Sequence, residues 1–384
     1  MALRVAIVAG EPSGDRLAAG LLRALRERVG AIEAIGVGGP KLMAEGLESV
    51  FPMEHLSHIG LSEVLHRIPA LLRARRRLAR KLIAAHPAVF VGVDSPDFNL
   101  GLEQRLRDAG VPTVHYVSPT IWAWRAGRVH TLRRAADRVL CIFPFEPALL
   151  APHGIDARYV GHPLAEEMAR APTRAAARAG FGLNDEAVIA LLPGSRGGEI
   201  ERLGGLFVDT ARWCADRRDG LVFLLGAANA AHAERLRELI GARAANVRIV
   251  AATGQARAAM AAADVVLSKS GTTTLETMLA GRPMVVAYRV SLVSQWIAQI
   301  GRLIKTPYFA LPNILAGERL VPEFVQADAT PEHLGTALFD WLDRPAAVAT
   351  LRERFSAISA DLRRDADQEA ADAVAGLIAQ RAAP

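Results

Sequence analysis

Short apolar runs rich in β-branched residues recur along the chain, and stretches with helical spacing of apolar positions separate them. In the first half the runs lie at 4–9, 34–37, 88–93, 113–117, 138–142 and 158–160, with helical stretches at 15–28, 100–109 and 127–135 among the intervals. The second half keeps the rhythm at 188–192, 221–225, 247–250, 264–267 and 284–286. Unbroken apolar runs, as opposed to alternating ones, mark strands buried on both faces, and their alternation with helices predicts doubly wound parallel sheets. The expected class is therefore α/β, with two Rossmann-like domains and a helical C-terminal tail. Gly161-His162-Pro163 closes the first series and the stretch from Pro172 to Gly182 precedes the second, so a hinge is expected between 161 and 180. The expected domains are 1–165 and 180–345, with helices over 346–384 packing across them.

Four strand ends carry candidate chemistry. The first run leads into Gly10-Glu11-Pro12-Ser13-Gly14-Asp15, and the run at 188–191 leads into Leu192-Pro193-Gly194-Ser195-Arg196. A buried strand, a glycine-bearing turn and a helix N-terminus make a ready anion site, because free amides and the helix dipole converge there. One such unit opens each half, which points to two nucleotide-fold domains facing a common cleft. Asp94-Ser95-Pro96-Asp97-Phe98-Asn99 follows the run at 88–93, and ligands gather outside the carboxyl ends of parallel strands. Asp94 is placed there as a candidate general base, while Asp97 fits capping of the helix that begins near Asn99. Ser268-Lys269-Ser270-Gly271-Thr272-Thr273-Thr274-Leu275-Glu276 follows the run at 264–267. Backbone around Ser270 and Gly271 can approach a phosphate, the Thr272 and Thr273 hydroxyls add donors, and Glu276 can accept from ribose hydroxyls. Ordinary capping describes the same segment equally well. Arg196 supplies a permanent cation where the helix dipole disfavours one, and a bound anion gives it a reason to be there. Neither loop is a Walker A, and Gly36-Val37-Gly38-Gly39 lacks the full dinucleotide fingerprint, so a P-loop hydrolase and a nicotinamide enzyme are both disfavoured. His153, His162 and His232 have no metal-ligand spacing.

Composition narrows the setting. The chain has 384 residues, 51% of them hydrophobic, enough for two cores and with no run suited to a membrane span. The N-terminus enters a strand at once, without the apolar core of a signal peptide, and two cysteines make no disulfide framework, so the cytosol is expected. The net charge of +6 favours anionic partners. Seven Lys/Arg crowd 67–81, interleaved with leucines and preceded by Ile59, Leu61, Val64 and Leu65 at helical spacing. Such a segment either lies on an anionic membrane or is a solvated outer helix. Trp122 and Trp124, within Ser118-Pro119-Thr120-Ile121-Trp122-Ala123-Trp124-Arg125, either line a groove or pack in the core. Trp296, on the apolar stretch 292–304, is either a second lipid-facing element or part of a buried helix.

Taken together in their order, these motifs resemble the lipid-A-disaccharide synthase family of two-Rossmann-domain (GT-B) glycosyltransferases. The resemblance runs from Val5 to about Val374. It rests on Gly-Glu-Pro-Ser-Gly-Asp at 10–15, Val-Asp-Ser-Pro-Asp-Phe-Asn at 93–99, Tyr-Val-Ser-Pro-Thr-Ile-Trp-Ala-Trp-Arg at 116–125 and Pro-Phe-Glu at 144–146. It continues through Leu-Leu-Pro-Gly-Ser-Arg-Gly at 191–197, Ser-Gly-Thr-Thr-Thr-Leu-Glu at 270–276 and Leu-Pro-Asn-Ile-Leu-Ala-Gly at 311–317. Only the neighbourhood of Gln299–Arg302 departs from the family pattern, being slightly longer. The resemblance implies an inverting transfer from UDP-2,3-diacylglucosamine to 2,3-diacylglucosamine 1-phosphate, giving UDP and a β(1→6) disaccharide with no cofactor, no metal and no nucleic-acid partner. It implies Asp94 as base and Arg196 as stabiliser of the departing diphosphate. UDP contacts fall to Gly194, Ser195, Arg196, Ser270, Gly271, Thr272, Thr273, Glu276 and Asn313. Glu11, Ser13, Gly14, Asp15 and Asp97 fall on the acceptor side. Leu61, Leu65, Ile68, Arg75, Arg76 and Arg77 would meet the cytoplasmic face of the inner membrane, and a homodimer is left open. Rival readings are another UDP-sugar enzyme of this fold, such as a UDP-N-acetylglucosamine epimerase or a peptidoglycan glycosyltransferase, and a non-catalytic nucleotide- or lipid-binding protein.

Overall fold

The computed structural model describes residues 2–57, 64–122, 127–244, 246–289 and 307–382. The chain forms two compact units, Met1–Pro163 with Leu362–Pro384, and Leu164–Asp361.

The first unit is built on seven strands, β1 (Leu3–Ala9), β2 (Ile32–Val37), β3 (Leu47–Ser49), β4 (Val89–Val93), β5 (Thr113–Tyr116), β6 (Arg138–Cys141) and β7 (Asp156–Tyr159), paired in parallel in the order β3-β2-β1-β4-β5-β6-β7. The chain moves outward from β1 to β3 and then returns to the other side of β1, so the topological switch point falls between β1 and β4. Alternation explains the unbroken apolar runs. Val5, Ile7 and Ala9 pack with Leu21, Leu22 and Leu25, while Ala6 and Val8 face Leu78, Leu82, Phe90 and Phe98 on the opposite side of the sheet.

The second unit has six strands, β8 (Ala187–Leu192), β9 (Leu221–Ala227), β10 (Ile249–Thr253), β11 (Val265–Lys269), β12 (Met284–Tyr288) and β13 (Glu323–Val325), parallel in the order β10-β9-β8-β11-β12-β13. Its switch point lies between β8 and β11. Ile189, Leu191, Phe207, Phe223, Leu267, Val285, Leu334 and Leu338 belong to its core.

Residues 346–384 form no body of their own. Helix Pro345–Leu362 belongs almost wholly to the second unit, and helix Ala366–Ala382 packs on helix Pro12–Val29 of the first. There Ala370, Ala371, Val374 and Leu377 join the core, and Arg28 pairs with Asp372 at 2.5 Å. Gly20 makes room for this docking, since a Cβ there would stand 2.2 Å from Asp367 Oδ2. Among the described residues no helix is long and apolar enough to cross a membrane.

Candidate active site

At the first switch point β4 runs into two consecutive non-glycine residues in the left-handed region, Asp94 (φ 52°) and Ser95 (φ 45°). Such residues are costly and persist only where the surroundings hold them. Here the Asp94 amide donates to Tyr116 O at 2.8 Å, and the buried Asn99 Nδ2 donates to Asp94 O at 2.8 Å and Val93 O at 3.2 Å. The loop after β1 closes in from the neighbouring strand, where a Cβ on Gly10 would come within 2.7 Å of Ser95 Oγ. The half-buried Asp94 carboxylate has no hydrogen-bond or ion-pair partner among the described residues. Its lone pairs are thus free to take a proton.

Asp97 differs. The helix begins at Pro96, not near Asn99, and Ser95 occupies the cap position. Asp97 therefore does not cap; its side chain is 74% exposed in the first turn and paired with Arg128. Asp15 also departs from the expected acceptor role. Its carboxylate is 2% exposed and accepts from the amides of Gly39 (2.7 Å), Lys41 (3.0 Å) and Leu42 (3.1 Å), which spends it on tying the loop after β2 to the first helix. Glu11 and Ser13 are exposed, and Gly14 is buried against Val93.

The ends of β5 and β6 bring together an aromatic cluster. Trp122 meets Phe143 and Phe145 edge-on, with centroids 6.3 and 5.4 Å away, and Phe143 lies 5.3 Å from the His162 ring. Under it sits Glu146, which accepts from Trp122 Nε1 at 3.3 Å and the Phe143 amide at 3.1 Å. Burial pushes this carboxyl up to about 7 against the pull of those donors. Burial likewise holds His162 down at about 4, with the Arg16 charge adding to it. The sequence assigns Glu146 no role beyond its place in Pro-Phe-Glu. Trp122 is thus half-buried and bonded; Trp124 and Arg125 lie outside the described residues.

At the second switch point two glycines with positive φ, Gly194 (139°) and Gly271 (129°), shape the loops after β8 and β11. Helix Thr272–Leu279 has Gly271 at its cap position and no side-chain cap. The hydroxyls do not cap it: Thr274 Oγ1 donates to Gly271 O at 2.7 Å, Thr277 Oγ1 to Thr273 O at 2.8 Å and Ser270 Oγ to Phe309 O at 2.6 Å. The amides of Gly271, Thr272 and Thr273 have no acceptor among the described residues, the condition for receiving an anion. Arg196, 81% exposed, stands at the start of helix Gly197–Ala215. Glu276 accepts from Arg257 Nε at 3.1 Å, and Arg257 also reaches Glu167 at 2.9 Å.

Two residues at this end were not legible in their roles. Glu199 Oε2 accepts from the amides of Ser195 (2.9 Å) and Arg196 (3.3 Å), while its Oε1 takes Lys269 Nζ at 2.9 Å. Asn313 is a correction. It is fully buried, donating to Val321 O (2.9 Å) and Glu323 Oε1 (2.8 Å) and accepting from the amides of Leu320 (2.8 Å) and Val321 (2.9 Å). Those four bonds use the whole amide, so Asn313 shapes the loop before β13 and has nothing left to offer a donor sugar.

Of the basic segment, helix Val64–Ala84 is described, while Ile59 and Leu61 lie outside the described residues, as do the side chains of Val64, Leu65 and Ile68. In its second half the apolar stripe of Leu78 and Leu82 packs into the core. Arg73, Arg76, Arg77 and Arg80 are exposed, whereas Arg75 is half-buried over Gly101. The stretch 292–304, with Trp296, also falls outside the described residues.

Two parallel α/β units, each with candidate chemistry at its switch point, describe the GT-B class of glycosyltransferases. Solved structures share the fold over the whole chain. A putative UDP-N-acetylglucosamine 2-epimerase from Listeria monocytogenes matches with TM-score 0.63 at 14% identity, covering 98% of this chain and 95% of its own. The calicheamicin glycosyltransferase CalG4 matches with TM-score 0.61 at 14% identity, with 100% of both chains covered. The family model described as lipid-A-disaccharide synthetase matches residues 5–375. A lipid-A-disaccharide synthase of Pseudomonas aeruginosa (strain UCBPP-PA14) is 51% identical over 380 residues, 99% of each chain. That of Chromohalobacter salexigens is 46% identical over 377 residues, 98% of this chain and 97% of its own. The chain belongs to the lipid-A-disaccharide synthase family, the glycosyltransferases of lipid A biosynthesis.

Proposed function

We propose that the protein joins the diacylglucosaminyl unit of UDP-2,3-diacylglucosamine to the 6-hydroxyl of 2,3-diacylglucosamine 1-phosphate. In this reading the Asp94 carboxylate takes the hydroxyl proton as the acceptor oxygen bonds to the anomeric carbon. The bond from that carbon to the diphosphate oxygen breaks, and its electron pair leaves with UDP. A single displacement inverts the anomeric centre. Negative charge grows on the diphosphate as it departs, and fixed donors aimed at growing charge are the strongest means of lowering such a barrier. Arg196 and the open amides of Gly271–Thr273 supply them, with Gly194, Ser195 and Ser270 shaping the loops and Glu276 set to take the ribose. Glu11, Ser13 and Gly14 border the acceptor.

The observation that carries this reading is a contrast: an unpartnered carboxylate at one switch point, and unpartnered amides beside an exposed guanidinium at the other. The lipid substrates place the protein at the cytoplasmic face of the inner membrane, attached peripherally through the exposed arginines of helix Val64–Ala84 and the apolar residues before it. The test is mass spectrometry of the product from purified protein given both substrates in EDTA. A disaccharide 1-phosphate is expected; UDP release without it, or epimerised UDP-sugar, would overturn the reading.

A further inference from the structure

The pairing of Glu199, in the first turn of the helix after β8, with Lys269, the last residue of β11, joins the two sides of the second switch point across seventy residues of sequence. We propose that the Glu199 carboxylate is an internal stand-in for a phosphate of the nucleotide, and that Lys269 is a phosphate-binding residue released to the nucleotide when Glu199 gives way. This rests on the reading of these loops as the donor site.

Glu199 stands at the third position of its helix, where a glutamate ordinarily returns one hydrogen bond to the cap residue's amide. The Arg196 amide accounts for that bond. The other contacts go beyond capping. The carboxylate also takes the preceding amide, of Ser195, takes the Lys269 ammonium at 2.9 Å, and lies 3.8 Å from the Arg196 guanidinium. Consecutive amides with two cations are a phosphate's partners.

The loops are cut to fit this arrangement. A Cβ on Gly194 would stand 2.4 Å from Glu199 Oε2, and one on Gly271 would stand 2.9 Å from Lys269 Nζ, so each glycine leaves space for one member of the pair. Both side chains are mostly shielded, 15% and 16% exposed. Burial works against the charge of Glu199, but Lys269 and the two amides outweigh it and hold the carboxyl below the ordinary range. A charged carboxylate thus occupies the amides, and a diphosphate arriving there competes with it for the same donors. An internal counter-ion of this kind keeps the loops from collapsing or repelling one another while empty. It also limits how tightly UDP is held, which favours release of that product.

The test is calorimetry of UDP on the full chain, with uridine as the phosphate-free control. Glu199→Gln keeps the shape and removes the competing charge, so UDP affinity is expected to rise about fivefold while uridine binding stays unchanged. Lys269→Met should weaken UDP about tenfold, and in the double variant the gain from Glu199→Gln should shrink to what release of the Ser195 and Arg196 amides supplies. Weaker UDP binding in Glu199→Gln, at an unchanged melting temperature, would make Glu199 a simple buttress and overturn the proposal, as would equal changes in UDP and uridine binding. If Arg196→Ala and Lys269→Met both leave UDP affinity unchanged, the donor-site reading itself fails, a result distinct from failure of the stand-in.

Discussion

The two switch points share a topology and differ in nearly everything else. In the first unit the loop after β4 spends two non-glycine residues on left-handed backbone and presents a bare carboxylate. In the second the loops after β8 and β11 spend glycines on positive φ and present amides and a guanidinium, beside the Lys269 ammonium held by Glu199. Strand order decides where a ligand site can form, and the loop residues decide its sign. A proton acceptor and a diphosphate cradle are opposite demands. In the proposed reaction each demand falls to the loops of its own sheet.

The largest effect expected from breaking this contrast is on the acidic side. Asparagine tolerates left-handed backbone, so Asp94→Asn removes the charge without disturbing the turn. Turnover should fall about 10²–10⁴-fold. Asp97→Asn, at a side chain paired with Arg128 and 74% exposed, should fall less than about tenfold; the reverse ranking in steady-state assays would exchange the two carboxylates.

Next in size is the aromatic cluster beside the first switch point, where two groups titrate in opposite senses. Glu146, raised from 4.5 to about 7, binds its proton more tightly folded than unfolded, so its contribution to stability is full at low pH and is lost as pH rises from 4.5 to about 7. That window amounts to about 3 kcal/mol. His162, lowered from 6.5 to about 4, works the other way: its contribution is full above 6.5 and is lost as pH falls toward 4. The wild type should therefore show a shallow pH dependence. Glu146→Gln should leave stability rising with pH, and His162→Phe should leave it falling. Melting curves across this range check both signs, and parallel curves for all three proteins would remove the cluster from the comparison.

On the basic side, Asn313→Ala takes the acceptor from the Val321 amide and donors from Val321 O and Glu323, and should destabilise the protein by about 2 kcal/mol. Arg196→Ala should leave the melting temperature unchanged. An Asn313→Ala protein that melts like the wild type and yet binds UDP weakly would return this residue to the donor.

The smallest effect concerns the outer helix. Exposed Arg77→Ser should weaken binding to anionic vesicles about fivefold, since one basic residue near such a surface contributes about 1 kcal/mol. Half-buried Arg75→Ser should not change it. Equal binding by the wild type and Arg77→Ser in flotation assays would make this an ordinary packed helix.

Much of the architecture was legible because strands buried on both faces are unbroken apolar runs, as in β1, β4, β8 and β11. The edge strands β3 and β13 escaped, being three residues long and only partly buried, and β10 lies a little later than its apolar run suggested. Asp94, Arg196 and the Ser270–Thr273 loop could be singled out as candidates because each follows such a run closely. The Glu199–Lys269 pair could not, because locally one reads as a cap and the other as a loop charge. Their meeting depends on β8 and β11 being neighbours. Asp15 and Asn313 misled for a related reason: a polar residue in a loop looks available until the amides that claim it are placed. At 59–63 and 290–306 the expectations concern residues outside those described.

The division of labour between the switch points is most directly tested by UDP calorimetry on Asp94→Asn and Arg196→Ala side by side. Asp94→Asn should bind UDP as the wild type does, and Arg196→Ala should bind it about tenfold or more weakly. Loss of UDP binding in Asp94→Asn, or undiminished binding in Arg196→Ala, would contradict it.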